Sequence, residues 1–175
     1  LRARLLANEL LGEPLTPDEL REIAARLGSD VPFFLVDGPQ LGRGDGSQLV
    51  PQGLPQEFTV LLALPHGARK TSTAAVYGAF DDRGGAAGFE DRRQALLDVL
   101  PTLTAATDLA HLPLNDLASS PLATRVSELG AFRSDVSGAG PVVYGLFEDA
   151  ARASAAAVAL GAEARTWVTR PRWYR

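Results

Sequence analysis

Among its 175 residues the chain has no cysteine, no methionine, one lysine and two histidines. Without cysteine there are no disulfides and no thiolate ligands, and His66 and His111 share no spacing that would build a transition-metal site. A carboxylate-bound Mg²⁺ is not excluded on these grounds. Basic charge is carried almost wholly by arginine, and 17 basic against 21 acidic residues leave a net charge of −4, so the electrostatic footprint of a nucleic-acid-binding protein is missing. No apolar run approaches the roughly 20 residues that a membrane-spanning helix needs, and no charged-then-apolar leader opens the chain. These absences predict a soluble, cytoplasmic protein with neither nucleic acid nor membrane as a partner. They leave monomer and homodimer equally open. Internal repeats are absent, and the only compositional bias is alanine. Leu1 falls within a helical pattern, so the chain is expected to be a fragment.

The length allows a substantial buried core, in one large domain or one and a half small ones. Leu1 to Leu11 carries leucines at helical spacing, with Arg2, Arg4, Asn8 and Glu9 for the wet side. Thr16-Pro17-Asp18-Glu19 reads as a capping box with proline at the first helical position, followed by the apolar face of Leu20, Ile23, Ala24 and Leu27 and a stop at Gly28. Gln40 to Arg43 and Ser47 to Val50 flank Gly44-Asp45-Gly46 as a hairpin. Phe58 to Leu64 is a buried strand by length and content. Thr71 or Ser72 caps a helix running to about Phe80, Arg83 to Gly88 is a glycine- and alanine-rich mobile loop, and helices follow over Glu90 to Leu100 and Asn115 to Leu129. Strands at Phe132 to Val136 and Val142 to Phe147, a helix over Glu148 to Leu160 and a strand at Ala164 to Val168 complete a β-α-β-β-α-β order with the strand at Phe58. That order predicts an α+β, ferredoxin-like domain. Prolines cluster at Pro51 to Pro55, which sets a remnant of another domain at 1–54 apart from the ferredoxin-like domain at 55–175.

The most informative stretch is Gly28-Ser29-Asp30-Val31-Pro32-Phe33-Phe34. It places a carboxylate at a turn between a helix end and an apolar segment. Gly28 suits a left-handed position closing the helix, and Pro32 fixes its own φ and restricts Val31. If Ser29 or Asp30 caps a new helical turn, the helix dipole also favours the ionised carboxylate of Asp30. Asp30 is then either a mounted catalytic base or simply a cap.

Four segments carry a resemblance. Leu27-Gly28-Ser29-Asp30-Val31-Pro32-Phe33-Phe34-Leu35, Thr71-Ser72-Thr73-Ala74-Ala75-Val76-Tyr77, Asn115-Asp116-Leu117, and Val136-Ser137-Gly138-Ala139-Gly140-Pro141-Val142-Val143-Tyr144-Gly145-Leu146-Phe147 occur in the order seen in the GHMP kinase superfamily. Within it, the chain resembles the C-terminal two thirds of the 4-diphosphocytidyl-2-C-methyl-D-erythritol kinases of the non-mevalonate isoprenoid pathway. The resemblance implies an ATP- and Mg²⁺-dependent transfer of a phosphoryl group to the 2-hydroxyl of a cytidine diphosphate derivative. It implies Asp30 as the base that takes the hydroxyl proton, and Thr73 and Tyr77 as pyrimidine-pocket residues, the ring stacking on the base. It implies Ser137, Gly138, Ala139 and Gly140 as a loop beside the nucleotide phosphates, with Ala139 where the family often has serine. Arg69 and Lys70 are candidates to attract the substrate's diphosphate.

Plainer roles stand beside these. Tyr77 could face the core while Thr73 caps a helix, and 137–141 could be a hairpin turn that simply requires glycine. The glycine- and serine-rich phosphate loop of the family is not in the sequence, so the chain alone is expected to lack kinase activity. A GHMP kinase for another small alcohol, or a non-catalytic ligand-binding or assembly domain derived from one, are the alternatives.

Overall fold

The protein is described by a computed structural model over residues 8–12, 14–68 and 72–171. It divides into two compact units, one within residues 1–54 and one over Pro55–Pro171. In the first, residues 8–10 are helical, the described part of the helix expected to start at Leu1. Helix α1 (Pro17–Leu27) begins as its sequence requires: Thr16 Oγ1 accepts from Glu19 N at 3.3 Å, and Glu19 Oε2 accepts from Thr16 N at 2.7 Å. These two bonds satisfy amides that the first turn leaves without intrahelical partners. Strands β1 (Gln40–Arg43) and β2 (Gln48–Pro51) pair antiparallel. Their turn is held by Gly46 N donating to Arg43 O at 3.0 Å and by Asp45 Oδ1 accepting from Ser47 N and Oγ at 3.0 and 2.6 Å.

The second unit is built on a four-stranded antiparallel sheet of β3 (Thr59–Pro65), β4 (Arg133–Val136), β5 (Val143–Phe147) and β6 (Ala164–Thr169), in the order β4-β5-β3-β6. This is the ferredoxin-like arrangement. Alternation along β3 turns Leu61 and Ala63 into the core. Helices α4 (Pro121–Glu128) and α5 (Ala150–Ala159) cover that face, packing Leu122, Val126, Ala153, Ala156 and the following Leu160 against Leu61, Val143 and Phe147. Between β3 and α4 lie helices α2 (Thr73–Asp82) and α3 (Phe89–Val99), neither of which has a fully buried residue.

Gly145 sets how closely α4 approaches the sheet. A Cβ there would lie 2.4 Å from Val126 Cγ1 and 3.0 Å from the Phe147 ring.

Three readings of the sequence are corrected. The helix expected over Asn115 to Leu129 starts only at Pro121, because Asn115 Oδ1 accepts from Leu117 N at 2.8 Å and folds the chain into a local turn. Ser120 then caps the helix, accepting from Leu122 N at 3.2 Å. Gly28 is near-extended (φ 159°, ψ 149°) and not left-handed, and neither Ser29 nor Asp30 caps the short 3₁₀ turn Pro32–Leu35, whose cap position is Val31. The dipole argument for Asp30 therefore has no geometric basis. Residues 83–88, expected as a loop, form successive turns in which Arg92 donates to Gly85 O at 2.6 Å and to Ala87 O.

Opposite the helices, a 3₁₀ segment (Ala106–His111) and the residues after it run beside β4. Asp108 organises this segment, its Oδ2 accepting from Thr104 N and Ala105 N, each at 2.8 Å. The Ala105 amide foremost, then Thr104 with a smaller contribution from His111, holds the Asp108 carboxyl below its ordinary range. Arg133, 9% exposed, donates to the carbonyls of Leu109 (3.3 Å), Leu112 (2.6 Å) and Pro113 (2.8 Å) and to Tyr144 OH (2.9 Å). A guanidinium has no acceptor capacity and five donors, so burial is tolerable only with this many partners.

Two outcomes follow from this packing. Gly145→Ala is expected to lower the urea-unfolding stability by about 1–3 kcal/mol through overpacking against Val126. Because the Asp108 pKa is lowered on folding, its contribution is complete above the unfolded-state aspartate value of about 3.9 and is lost as pH falls through the lower folded value. An NMR titration should therefore find the Asp108 midpoint below that of an ordinary aspartate, with Asp108→Asn removing the acid-dependent loss of amide protection at Thr104 and Ala105.

Candidate active site

In the first unit, Asp30 follows the end of α1 on a turn closed by Val31 N donating to Gly28 O at 3.0 Å. Pro32 is buried and anchors the turn. The Asp30 side chain is exposed, with no hydrogen bond or ion pair among the described residues. Next to it, Phe33 and Phe34 meet edge to face with centroids 5.6 Å apart, and Phe34 is 63% exposed. The result is an unengaged carboxylate beside two accessible rings.

In the second unit, α2 carries two more of the candidate residues. Ser72 caps the helix, its Oγ accepting from Ala75 N at 3.1 Å, so Thr73 is not the cap. Thr73 and Tyr77 lie four apart on one face, and both are exposed. Tyr77, at 55% exposure, is not a core residue. Its ring is open to a planar partner. Arg69, Lys70 and Thr71 lie outside the described residues.

The glycine loop joins β4 to β5. Ser137 N donates to Val142 O at 2.8 Å and Gly140 N to Ser137 O at 2.9 Å, closing the hairpin. Gly138 and Gly140 have φ of 57° and 77°, backbone that other residues adopt only with strain. The Gly138 and Ala139 amides make no hydrogen bond among the described residues. These two adjacent N–H groups are available to donate to anionic oxygens of a ligand. The turn thus needs its glycines for its own geometry and also offers donors.

The Asn-Asp-Leu segment, to which the sequence assigned no role, is the best-connected part of this region. Asn115 Nδ2 donates to Gly138 O at 2.7 Å and to Val136 O at 3.0 Å, while Asn115 N donates to Asp135 Oδ2 at 2.7 Å. Asp135 is 6% exposed and also faces Arg133 Nη2 at 3.5 Å. On the other side, Asp116 Oδ2 accepts from Arg92 Nε at 2.6 Å. The carbonyls of Asp116 and Leu117 accept from Arg83 Nη2 at 2.5 and 3.1 Å. Arg83 follows the last residue of α2 and stacks over Phe80 at 5.2 Å. Phe80 in turn lies against Gly85, where an added Cβ would come within 2.5 Å of the ring.

None of Arg83, Arg92, Arg133 or Asp135 stood out in the sequence, since each works through partners distant in the chain. The one local signal was an Asn-Asp pair just after Pro113, a composition that favours side-chain-supported turns over helix. Among the described residues, no three His, Cys, Asp or Glu side chains cluster as a metal site. No helix among them is long and apolar enough to cross a membrane.

Comparison with known proteins places this architecture. Residues 119–165 match the family model described as GHMP kinases C terminal. A 4-diphosphocytidyl-2-C-methyl-D-erythritol kinase of Cutibacterium acnes is 35% identical over 167 residues, covering 90% of this chain and 53% of that protein. A protein of the same name from Streptomyces coelicolor is 39% identical over 163 residues, covering 87% of this chain and 54% of its own length. A crystal structure of 4-(cytidine 5'-diphospho)-2C-methyl-D-erythritol kinase superposes with a TM-score of 0.68 at 27% identity, covering 94% of this chain and 60% of that one. The chain spans about half the length of the curated relatives it matches, and it belongs to the GHMP kinase family.

Proposed function

We propose that this chain is part of a kinase that transfers the γ-phosphoryl group of ATP to the 2-hydroxyl of 4-diphosphocytidyl-2-C-methyl-D-erythritol, a step of isoprenoid biosynthesis. The observation that carries the reading is the kinship itself. Relatives bearing this one name are 35–39% identical over most of the chain. Because the chain spans about half of those relatives, the activity is proposed for the polypeptide that carries this segment with counterparts of the rest.

Each candidate residue has a task suited to its chemistry. Phosphoryl transfer depends on positioning and on neutralising charge, with little covalent work for the protein. Asp30, a carboxylate with no competing partner among the described residues, takes the proton from the attacking hydroxyl. Tyr77 offers its exposed ring to the pyrimidine, and Thr73, one helical turn earlier, lines the same surface. The free amides of Gly138 and Ala139 donate to phosphate oxygens of the nucleotide. Mg²⁺ would supply charge neutralisation with ATP, but the described residues provide no cluster to hold it, and no step here is assigned to it.

Two substitutions test these roles in the complete polypeptide. Asp30→Asn is expected to lower kcat by roughly 10²–10⁴-fold, the usual contribution of a general base, with KM for the cytidine compound little changed. Turnover equal to wild type would remove Asp30 from the chemistry. Tyr77→Ala should raise KM for the cytidine compound by roughly 5- to 100-fold, in line with the ~1–3 kcal/mol of base–aromatic stacking, and leave KM for ATP unchanged. Equal effects on both substrates, or none, would count against stacking.

A further inference from the structure

The Asn-Asp-Leu segment stands between two candidate subsites and bonds to each through a different residue. Asn115 uses both of its amide N–H directions on the glycine loop, to Val136 O and Gly138 O, and its Oδ1 accepts from Leu117 N at 2.8 Å and Ala118 N at 3.4 Å. No donor or strong acceptor site on this side chain is left for another task. Asp116 faces the other way. Its carboxylate holds Arg92, whose remaining nitrogens hold the Gly85 and Ala87 carbonyls, and its carbonyl holds Arg83 at the end of the helix bearing Thr73 and Tyr77. Beneath both, the Asn115 amide is fixed to Asp135 on β4.

We infer that Asn115 and Asp116 are paired positioning residues that set two subsites separately: Asn115 holds the 137–141 loop in the shape that presents its free amides to the nucleotide phosphates, and Asp116, through Arg92 and Arg83, holds α2 and the 83–88 turn where the cytidine moiety stacks. Neither side chain touches a reacting atom. The inference rests on the kinase reading for the identity of the two ligands, and not for the two-sided geometry.

Physical reasons favour separate action. The two sets of hydrogen bonds start from adjacent residues and share no side chain, meeting only in the backbone of Leu117, whose N donates to Asn115 Oδ1 and whose carbonyl accepts from Arg83 Nη2. Arg92 is only partly exposed, and its fork spans three acceptors on two segments, a geometry that lysine cannot reproduce. For Asn115, replacing the amide by a carboxylate keeps the acceptor for Leu117 N while setting an oxygen against the Val136 and Gly138 carbonyls. Each change therefore disturbs one arm only.

The test uses Asn115→Asp and Arg92→Lys in the complete polypeptide, with Asp116→Asn as a second probe of the α2 arm and Asp116→Glu as its charge-conserving counterpart. Steady-state kinetics with ATP and the cytidine compound are read beside hydrogen exchange of the backbone amides, without ligand. Asn115→Asp should raise KM for ATP about tenfold, leave KM for the cytidine compound within twofold, and speed exchange at 137–141 but not at 83–88. Arg92→Lys and Asp116→Asn should show the converse, and Asp116→Glu should recover most of the loss in affinity for the cytidine compound. A residue serving only general stability would move both KM values and both exchange regions together, and that result overturns the inference. So does an unchanged KM pair with unchanged exchange. If the wild-type polypeptide shows no turnover of the cytidine compound, the kinase reading fails, and the exchange pattern alone upholds or rejects the two-sided strut.

Discussion

The second unit is organised around a guanidinium taken out of water. Arg133 lies on β4 with its side chain almost wholly buried, and five donors must be met there or the charge would cost several kcal/mol. They are met by carbonyls of Leu109, Leu112 and Pro113 and by the hydroxyl of Tyr144, with the Asp135 carboxylate close by. Three of these acceptors belong to one irregular segment, so satisfying the charge dictates the path of that segment over the sheet. After Leu114 the same segment continues into Asn115 and Asp116. One electrostatic requirement in the core is thus passed on to the glycine loop and to the end of α2.

This arrangement explains how a region with little regular structure holds its shape. Helices α2 and α3 bury no residue completely, and the apolar contacts that fix α4 and α5 on the sheet are not available to them. Arginine takes over that role. Arg83 reaches backbone carbonyls on two segments, Arg92 reaches the Gly85 and Ala87 carbonyls and the Asp116 carboxylate, and a planar fork makes such multiple contacts at little entropic cost per bond. The near absence of lysine is consistent with a protein that uses its cations as hydrogen-bonding struts. Tyr77 on this helix is left 55% exposed.

The Asp30 turn in the first unit and the glycine loop in the second are held differently. The Asp30 turn is made by short-range constraints: a capped helix, a buried proline and one bond from Val31 N to Gly28 O. The glycine loop is shaped by its own hairpin bonds and by an amide side chain that arrives from about twenty residues away.

Periodicity and turn chemistry were sufficient to read α1 with its capping box, the β1–β2 hairpin, all four strands of the ferredoxin-like sheet and α5, because each is specified by residues adjacent in the chain. Turn chemistry also marked Asp30 as a candidate base, whereas the candidate roles of Thr73, Tyr77 and the 137–140 loop came from the resemblance to the GHMP kinases. Local signals misled where a competing local arrangement prevailed. Asn115 falls in an expected helix that its own side-chain turn delays to Pro121, and the cap position that Ser29 or Asp30 could have filled before Pro32–Leu35 is taken by Val31. The sequence by itself determined the order of elements, since that follows from alternation and capping, and it carried the motifs whose resemblance to the GHMP kinases names the candidate residues. Only tertiary structure decided which side chains support them, because a bond from Arg133 to Leu112 or from Asn115 to Gly138 exists only once the sheet has brought segments twenty or more residues apart into reach.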